Sequence, residues 1–418
     1  MSSSRRHVVV IGAGIVGSSC AWHLRRKGLE VTLIDQVEPG MSCSYGNASC
    51  LSRSSVIPFS YPGMINKVPG WMLDPLGPMR IRPLDFPALA PWFWQFWRVS
   101  SMQKVEQIAH SQKILMDTVF EDYDEILTAT DSTHLRRSKG AIHLYDTEKE
   151  FEKDQWQIEF RRKMGFDSHR LSAPELKNLV PALKLENGVA MMMPDWQQLL
   201  DPQKVTQRIA EHSFAAGTKW INDKVRKIDS KDHGVVVTTD SGNKIEADKL
   251  VVAAGAWSNK IAERLDYTVP MIAKRGYHSM IANPGIELNY PVMSLSRVFV
   301  MTPLNDGLRV AGTAEFAALD AKPDYRRAKV LLKHAAHYLD GLQTEGATEW
   351  MGQRPMMADS TPIISASPGH RNVFYAFGHG HYGLTQGPTT GRLIASLVSG
   401  EKPPVDLTPF RFDRFRNP

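Results

Sequence analysis

Val8-Val9-Val10-Ile11-Gly12-Ala13-Gly14-Ile15-Val16-Gly17 is the stretch on which the fold turns. Its first four residues are β-branched, as a strand buried on both faces of a parallel sheet requires. Glycines follow at once in the spacing GxGxxG. Ser18 through Lys27 then reads as a helix with Ala21 and Leu24 on one face. Leu29 to Ile34 is a second apolar strand, and it ends at Asp35. Together these make a βαβ unit about 30 residues long. In such a unit Gly12 permits the tight turn, Gly14 lets the backbone approach a pyrophosphate, and Gly17 lets helix and strand pack closely. The helix start offers unpaired N–H groups and partial positive charge to phosphates. Asp35 is placed to accept from a ribose hydroxyl. Gly12, Ala13, Gly14, Ile15, Val16, Gly17 and Asp35 are therefore the expected dinucleotide-binding residues.

The same region imitates two export signals. Arg5-Arg6 precedes the apolar run, and Gly17-Ser18-Ser19-Cys20 imitates a lipoprotein cleavage site. Cleavage there would remove the nucleotide site, so both readings are rejected and a cytoplasmic location is expected. No run of about 18 or more apolar residues predicts a transmembrane helix. The 418 residues are 42% hydrophobic and 22% charged. That suits a soluble globular chain of several domains and excludes a disordered tail, a collagen-like fibre or a disulfide mini-protein. Lys plus Arg is 50 and Asp plus Glu is 44, a net charge of +6. So mild an excess, without a basic stripe, predicts no nucleic-acid partner, though it suits anionic ligands or a membrane surface. Cys20, Cys43 and Cys50 are the three cysteines. They make neither a disulfide framework nor a CxxC zinc site, so no metal is expected.

The first motif does not separate NAD from FAD. Further on, Asp201-Pro202 opens a helix over Gln203 to Ala216. Short runs at Thr218–Ile221, Val225–Ile228, Val235–Thr239 and Lys244–Ile245 then read as a β-meander. Leu250 to Val252 is an apolar strand that enters Ala253-Ala254-Gly255-Ala256-Trp257, small residues that allow close approach to a cofactor. Near the end, Gly378-His379-Gly380-His381-Tyr382-Gly383 precedes a helix from about Thr385 to Val398. This is a second anion site, suited to the negative charge of a reduced flavin.

With these pieces in place, the chain resembles the D-amino-acid oxidase/glycine oxidase superfamily of FAD enzymes, and is most similar to the bacterial D-amino acid dehydrogenase small-subunit branch. The resemblance rests on the N-terminal GxGxxG, the loop Ser44-Tyr45-Gly46-Asn47-Ala48-Ser49, Val251 to Trp257, Lys274-Arg275-Gly276-Tyr277, Trp350-Met351-Gly352-Gln353-Arg354-Pro355 and the Gly-His-Gly turn. It spans nearly the whole chain. It implies an α/β fold, in which a Rossmann-like FAD domain interleaves with an α+β substrate domain on a largely antiparallel sheet. It also implies FAD along the βαβ unit. Ser44, Asn47 and Ala48 would lie near the flavin N5, Val225 at the adenine end through its backbone, and Ala254, Gly255, Gly378, His379 and Gly380 would line the cofactor. Asp35 stands where Glu is common, and Ser49 where the family often has Gly. Family members with covalent flavin use a Cys in the C-terminal half; none follows Cys50, so non-covalent FAD is implied.

The implied reaction is oxidative deamination of a D-amino acid by hydride transfer from Cα to flavin N5, giving a 2-oxo acid and ammonia. Two alternatives stand beside it. One is dehydrogenation of a cyclic imino acid such as D-proline or hydroxy-D-proline. The other is a non-catalytic FAD-binding subunit. Arg354 matches the family's carboxylate-binding arginine, and two parallel hydrogen bonds from a guanidinium suit an α-carboxylate. Lys274 or Arg275 is either a second carboxylate ligand or a solvated strand end. Tyr277 is either a substrate cap or a core tyrosine. The His379 and His381 imidazoles are either catalytic or bystanders. The electron acceptor is a quinone or oxygen. The aromatic segment Phe86 to Trp97 reads as a helix with aromatics packed inward or as a peripheral membrane patch, because tryptophan favours that interface and Arg80, Arg82, Arg98 and Lys104 lie nearby. Residues 1–57, 190–265 and 346–418 are expected to form the FAD domain. Residues 58–189 and 266–345 are expected to form the substrate domain, with strands at Met271–Ala282, Val298–Thr302 and Leu308–Thr313 and helices at Gln103–Thr128 and Arg326–Leu339.

Overall fold

In the computed structural model, which describes residues 6–64, 66 and 68–415, the opening βαβ unit sits inside a six-stranded sheet. Arg5, of the Arg5-Arg6 pair, lies outside the described residues. Strand His7–Ile11 lies between Glu30–Asp35 and Lys249–Val252, parallel to both. Lys219–Asn222 and Val373–Phe377 extend the parallel order on either side, and Ile363–Ala366 closes one edge antiparallel. The β-branched run is buried on both faces, as its composition demands. Val8 and Val10 pack with Cys20, Ala21 and Leu24 of helix Ile15–Arg26 and with Leu393 of helix Gly383–Ser399. Val9 and Ile11 face Val235 and Val237 on the other side. Each such side chain contributes about 1.5–3 kcal/mol of transfer free energy.

Val235 and Val237 belong to the expected meander, an antiparallel set of Val225–Lys231, Gly234–Thr239 and Lys244–Ala247. The run assigned to Thr218–Ile221 is not part of it. Trp220 and Ile221 instead pair in parallel register with Leu33 and Ile34, at the edge of the Rossmann-like sheet.

The second sheet is nine-stranded. Its edge is Thr348–Met357, followed by Met271–Ile281, Gly307–Phe316 and Phe299–Leu304, all antiparallel. Val292–Ser294 then pairs in parallel with Ala141–Tyr145, the first of two parallel contacts in a sheet otherwise antiparallel. Two of its strands, Val189–Met193 and Thr348–Met357, fall mostly in ranges that the sequence reading gives to the FAD domain. The helix read over Gln103–Thr128 is two helices, Met102–Met116 and Val119–Ala129.

The aromatic segment is helix Phe86–Arg98. One face, Leu89, Trp92, Phe93 and Phe96, is buried with Trp71, Phe316 and Met356. The Trp92 indole N–H donates to the Met356 carbonyl at 3.1 Å. Trp94 and Trp97 lie on the outer face and are exposed.

Candidate functional site

Gly12 has φ +106°, and a Cβ there would meet the Ala253 carbonyl oxygen at 2.4 Å. A Cβ on Gly17 would lie 1.8 Å from the Gly12 carbonyl oxygen. Both positions thus exclude any side chain, for the turn and for the close helix–strand approach. Asp35 ends the second strand and accepts from the Ala13 N–H at 2.7 Å. Burial pushes its carboxyl up, and that N–H pulls it back down. The Asp223 N–H donates to the Asp35 carbonyl at 2.9 Å, so the segment leading to Val225 sits at the same end. The N-cap residue of helix Ile15–Arg26 is Gly14, which has no side chain to cap it, and no acid stands in the first turn. The N–H of Ile15 is engaged by the Ser44 hydroxyl at 2.9 Å. A Cβ on Gly255 would meet nothing within 4 Å, so the Ala254-Gly255 turn borders open space. A helix start with no acid in its first turn, glycines at 12, 14 and 17 and an acid at the strand end fit a dinucleotide such as FAD.

The loop Ser44–Ser49 is held from within and from below. The Asn47 amide donates to the Ser44 carbonyl at 2.7 Å and accepts from the Ser49 N–H at 2.7 Å. Ser49 has φ +59°, a left-handed conformation that glycine adopts more readily, which explains the glycine common there. Beneath the loop, the buried Arg309 guanidinium donates to the carbonyls of Tyr45 at 2.8 Å and Asn47 at 2.9 Å. Thr302 donates to the Ala48 carbonyl at 3.0 Å, and His278 Nδ1 bonds the Gly46 carbonyl at 3.0 Å. The sequence reading missed Arg309, Thr302 and His278. An arginine inside the apolar strand Leu308-Arg309-Val310 was the available signal, because a buried guanidinium needs acceptors.

Arg354 lies across its neighbour strand. It pairs with Lys274 in antiparallel register, and a Cβ on Gly276 would fall 2.1 Å from its guanidinium carbon. Gly276 is the residue that lets the guanidinium lie flat on the sheet. Arg354 is deeply set yet partly open, as are Cys43 and Tyr382. His381 is ringed by protein but exposed. Cys43 and His381 lie within electrostatic reach of Arg354. No carboxylate neutralises Arg354 or Lys274 among the described residues. Burial first, then the adjacent guanidinium, pushes Lys274 well below its ordinary value. Its ammonium lies 3.9 Å from the centre of the Phe59 ring. Burial, Lys274 and Arg354 likewise hold His381 in the neutral form.

The Gly-His-Gly turn is stitched to this strand. The Gly380 N–H donates to the Pro355 carbonyl at 2.9 Å, and His379 bridges Met356. The His379 ring itself is 3% exposed and bonds the Thr390 hydroxyl at 2.9 Å. Helix Gly383–Ser399 starts here without a side-chain cap or an acid in its first turn.

Arg275 and Tyr277 do not join the site, which corrects the expectation for both. Side chains alternate across a strand, so they face opposite Lys274 and Gly276. The Arg275 guanidinium donates to the Ala318 carbonyl at 2.7 Å and lies 3.6 Å from Glu315. The Tyr277 hydroxyl donates to Glu315 at 2.7 Å and accepts from the Asp324 N–H at 3.1 Å. Both are core residues. Glu315 already satisfies them.

The model of the FAD dependent oxidoreductase (DAO) family matches residues 7–397. The D-amino-acid oxidase of Bradyrhizobium diazoefficiens is 34% identical over 98% of this chain and 99% of its own length. The D-amino acid dehydrogenase of Paramagnetospirillum magneticum is 30% identical, covering 98% of each. Among solved structures, glycine oxidase from Geobacillus kaustophilus superposes with a TM-score of 0.74 at 22% identity, over 98% of this chain and 99% of that one, a likeness of fold.

Proposed function

The chain belongs to the DAO family of FAD-dependent oxidoreductases, and from that premise we propose that it oxidises D-amino acids to 2-oxo acids and ammonia, with Arg354 as the carboxylate ligand. The observation that carries this reading is the unneutralised Arg354 guanidinium, laid flat over Gly276 on the strand to which the Gly-His-Gly turn is bonded. A lone buried cation of this kind is costly unless an anion joins it. An α-carboxylate supplies that anion and meets the planar fork with two parallel hydrogen bonds.

When bound, FAD supplies the acceptor for a hydride and its electron pair. Gly12 to Gly17, Asp35 and the loop Ser44–Ser49 would hold it. Arg354 fixes the plane of the carboxylate and so the direction of the Cα–H bond. The substrate nitrogen must be neutral for its lone pair to follow the departing hydride. The Arg354 charge disfavours an ammonium and promotes loss of its proton. Cα and nitrogen then share a double bond, and water hydrolyses that imine. Lys274, 2% exposed, stands opposite Arg354 in the strand register. The electrons pass on to oxygen or to a quinone, and peroxide formed in air distinguishes the two.

The test is a panel of D- and L-amino acids, with D-proline and hydroxy-D-proline, turned over by the purified protein with an artificial acceptor. The expected products are 2-oxo acid and ammonia from D-amino acids. Turnover of the cyclic imino acids alone would replace the substrate assignment. No product from any member would overturn the reading.

A further inference from the structure

We propose that the outer face of helix Phe86–Arg98, with the segments flanking it, docks on an anionic lipid surface. Ten large apolar side chains are exposed among the described residues, and six of them, Leu73, Leu76, Leu84, Trp94, Trp97 and Met102, fall in this one part of the chain. Leu84 is 88% exposed and Leu73 83%. Trp94 and Trp97 stand one helical turn apart with ring centroids 5.0 Å from each other, forming one indole surface. The buried Trp92, Phe93 and Phe96 already fill the core beneath, so the outer indoles have no packing role in the fold.

The charge around this face chooses the occupant. Between residues 73 and 104 the chain carries Arg80, Arg82, Arg98 and Lys104 against Asp74 and Asp85. Asp85 is paired with Arg82 at 3.4 Å, and Asp74 accepts from the Leu76 N–H at 2.9 Å. Arg98 and Lys104 are exposed beside the indoles. Anionic headgroups neutralise them, while indole and leucine side chains enter the headgroup boundary. No helix among the described residues is long and apolar enough to cross a membrane, so the contact is peripheral. Its support is the rigid aromatic core that the same helix shares with Phe316 and Met356.

The experiment sediments the FAD-loaded full chain with vesicles of phosphatidylcholine, with and without phosphatidylglycerol. The wild type is expected to pellet with the anionic vesicles and to be released by salt. Trp94→Ser/Trp97→Ser and Arg98→Glu/Lys104→Glu should each weaken binding at least about tenfold. Both double variants should keep wild-type turnover with a soluble acceptor, which shows that they are folded. Failure to bind either vesicle overturns the proposal, as does binding that neither double variant changes. A wild-type dimer that Trp94→Ser/Trp97→Ser dissociates, in protein that ignores lipid, assigns the face to a second copy instead.

Discussion

At the scale of single residues, the site depends on which side of a strand a side chain leaves. Lys274 and Arg275 are adjacent in sequence, yet one lies beside Arg354 and the other is tied to Ala318 and Glu315 on the opposite face. The sequence made both visible as cations but did not supply the strand register that separates them. Arg354 was picked out by its motif, and the structure sets it opposite Lys274 with no carboxylate partner among the described residues. Replacing it by Ala should raise KM and lower kcat/KM by roughly one to two orders of magnitude, the worth of a charge-assisted pair of hydrogen bonds. FAD should remain bound, and steady-state kinetics on the yellow protein checks both. Arg309 makes the complementary case, since it donates to two carbonyls of the loop Ser44–Ser49. Arg309→Met should loosen FAD by about tenfold or more and lower Tm, because the carbonyls of Tyr45 and Asn47 lose their charged donor. Arg309→Lys should recover part of the loss. Cofactor titration followed by flavin fluorescence measures it.

At the scale of elements, the βαβ unit was legible almost to the residue, since three local signals agree: a β-branched run, GxGxxG and an acid at the second strand end. Gly17 is its tightest point. Gly17→Ala puts a methyl 1.8 Å from the Gly12 carbonyl oxygen, so the helix must back away from the strand. The variant should purify without bound FAD and be destabilised by about 1–3 kcal/mol, read from urea denaturation. Longer-range pairing was not legible. The segment Lys219–Asn222 has the composition of a meander strand and joins the parallel sheet, because its partner Glu30–Asp35 is remote in sequence. The break between helices Met102–Met116 and Val119–Ala129 carries no proline or glycine to announce it.

At the scale of the molecule, strand Val189–Met193 straddles the boundary expected at residue 190, and Thr348–Met357, expected in the FAD region, pairs with Met271–Ile281 of the expected substrate region. Domain membership depends on hydrogen-bond partners and not on position along the chain. The buried core also sets a pH dependence. Burial pushes His23 down to about 4 and His143, His278 and His379 down to about 3. In the unfolded chain these imidazoles titrate near about 6.5. Below that pH the unfolded state therefore binds more protons than the folded state. The stabilisation is fully present above about 6.5 and is lost as pH falls toward about 3, by up to about 1.4 kcal/mol per pH unit for each histidine. Tm should be lower at pH 5 than at pH 7, and His278→Gln should make the decline shallower; an equal Tm at both would contradict it. The central claim joins FAD, Arg354 and a D-amino acid in one site. The most direct test is anaerobic mixing of the FAD-loaded protein with D-amino acids, followed by the visible flavin absorbance. The account predicts saturable bleaching by D- but not L-amino acids, with Arg354→Ala still yellow and needing far more substrate. A wild-type flavin band that no D-amino acid bleaches, or an Arg354→Ala protein that bleaches as the wild type does, would contradict it.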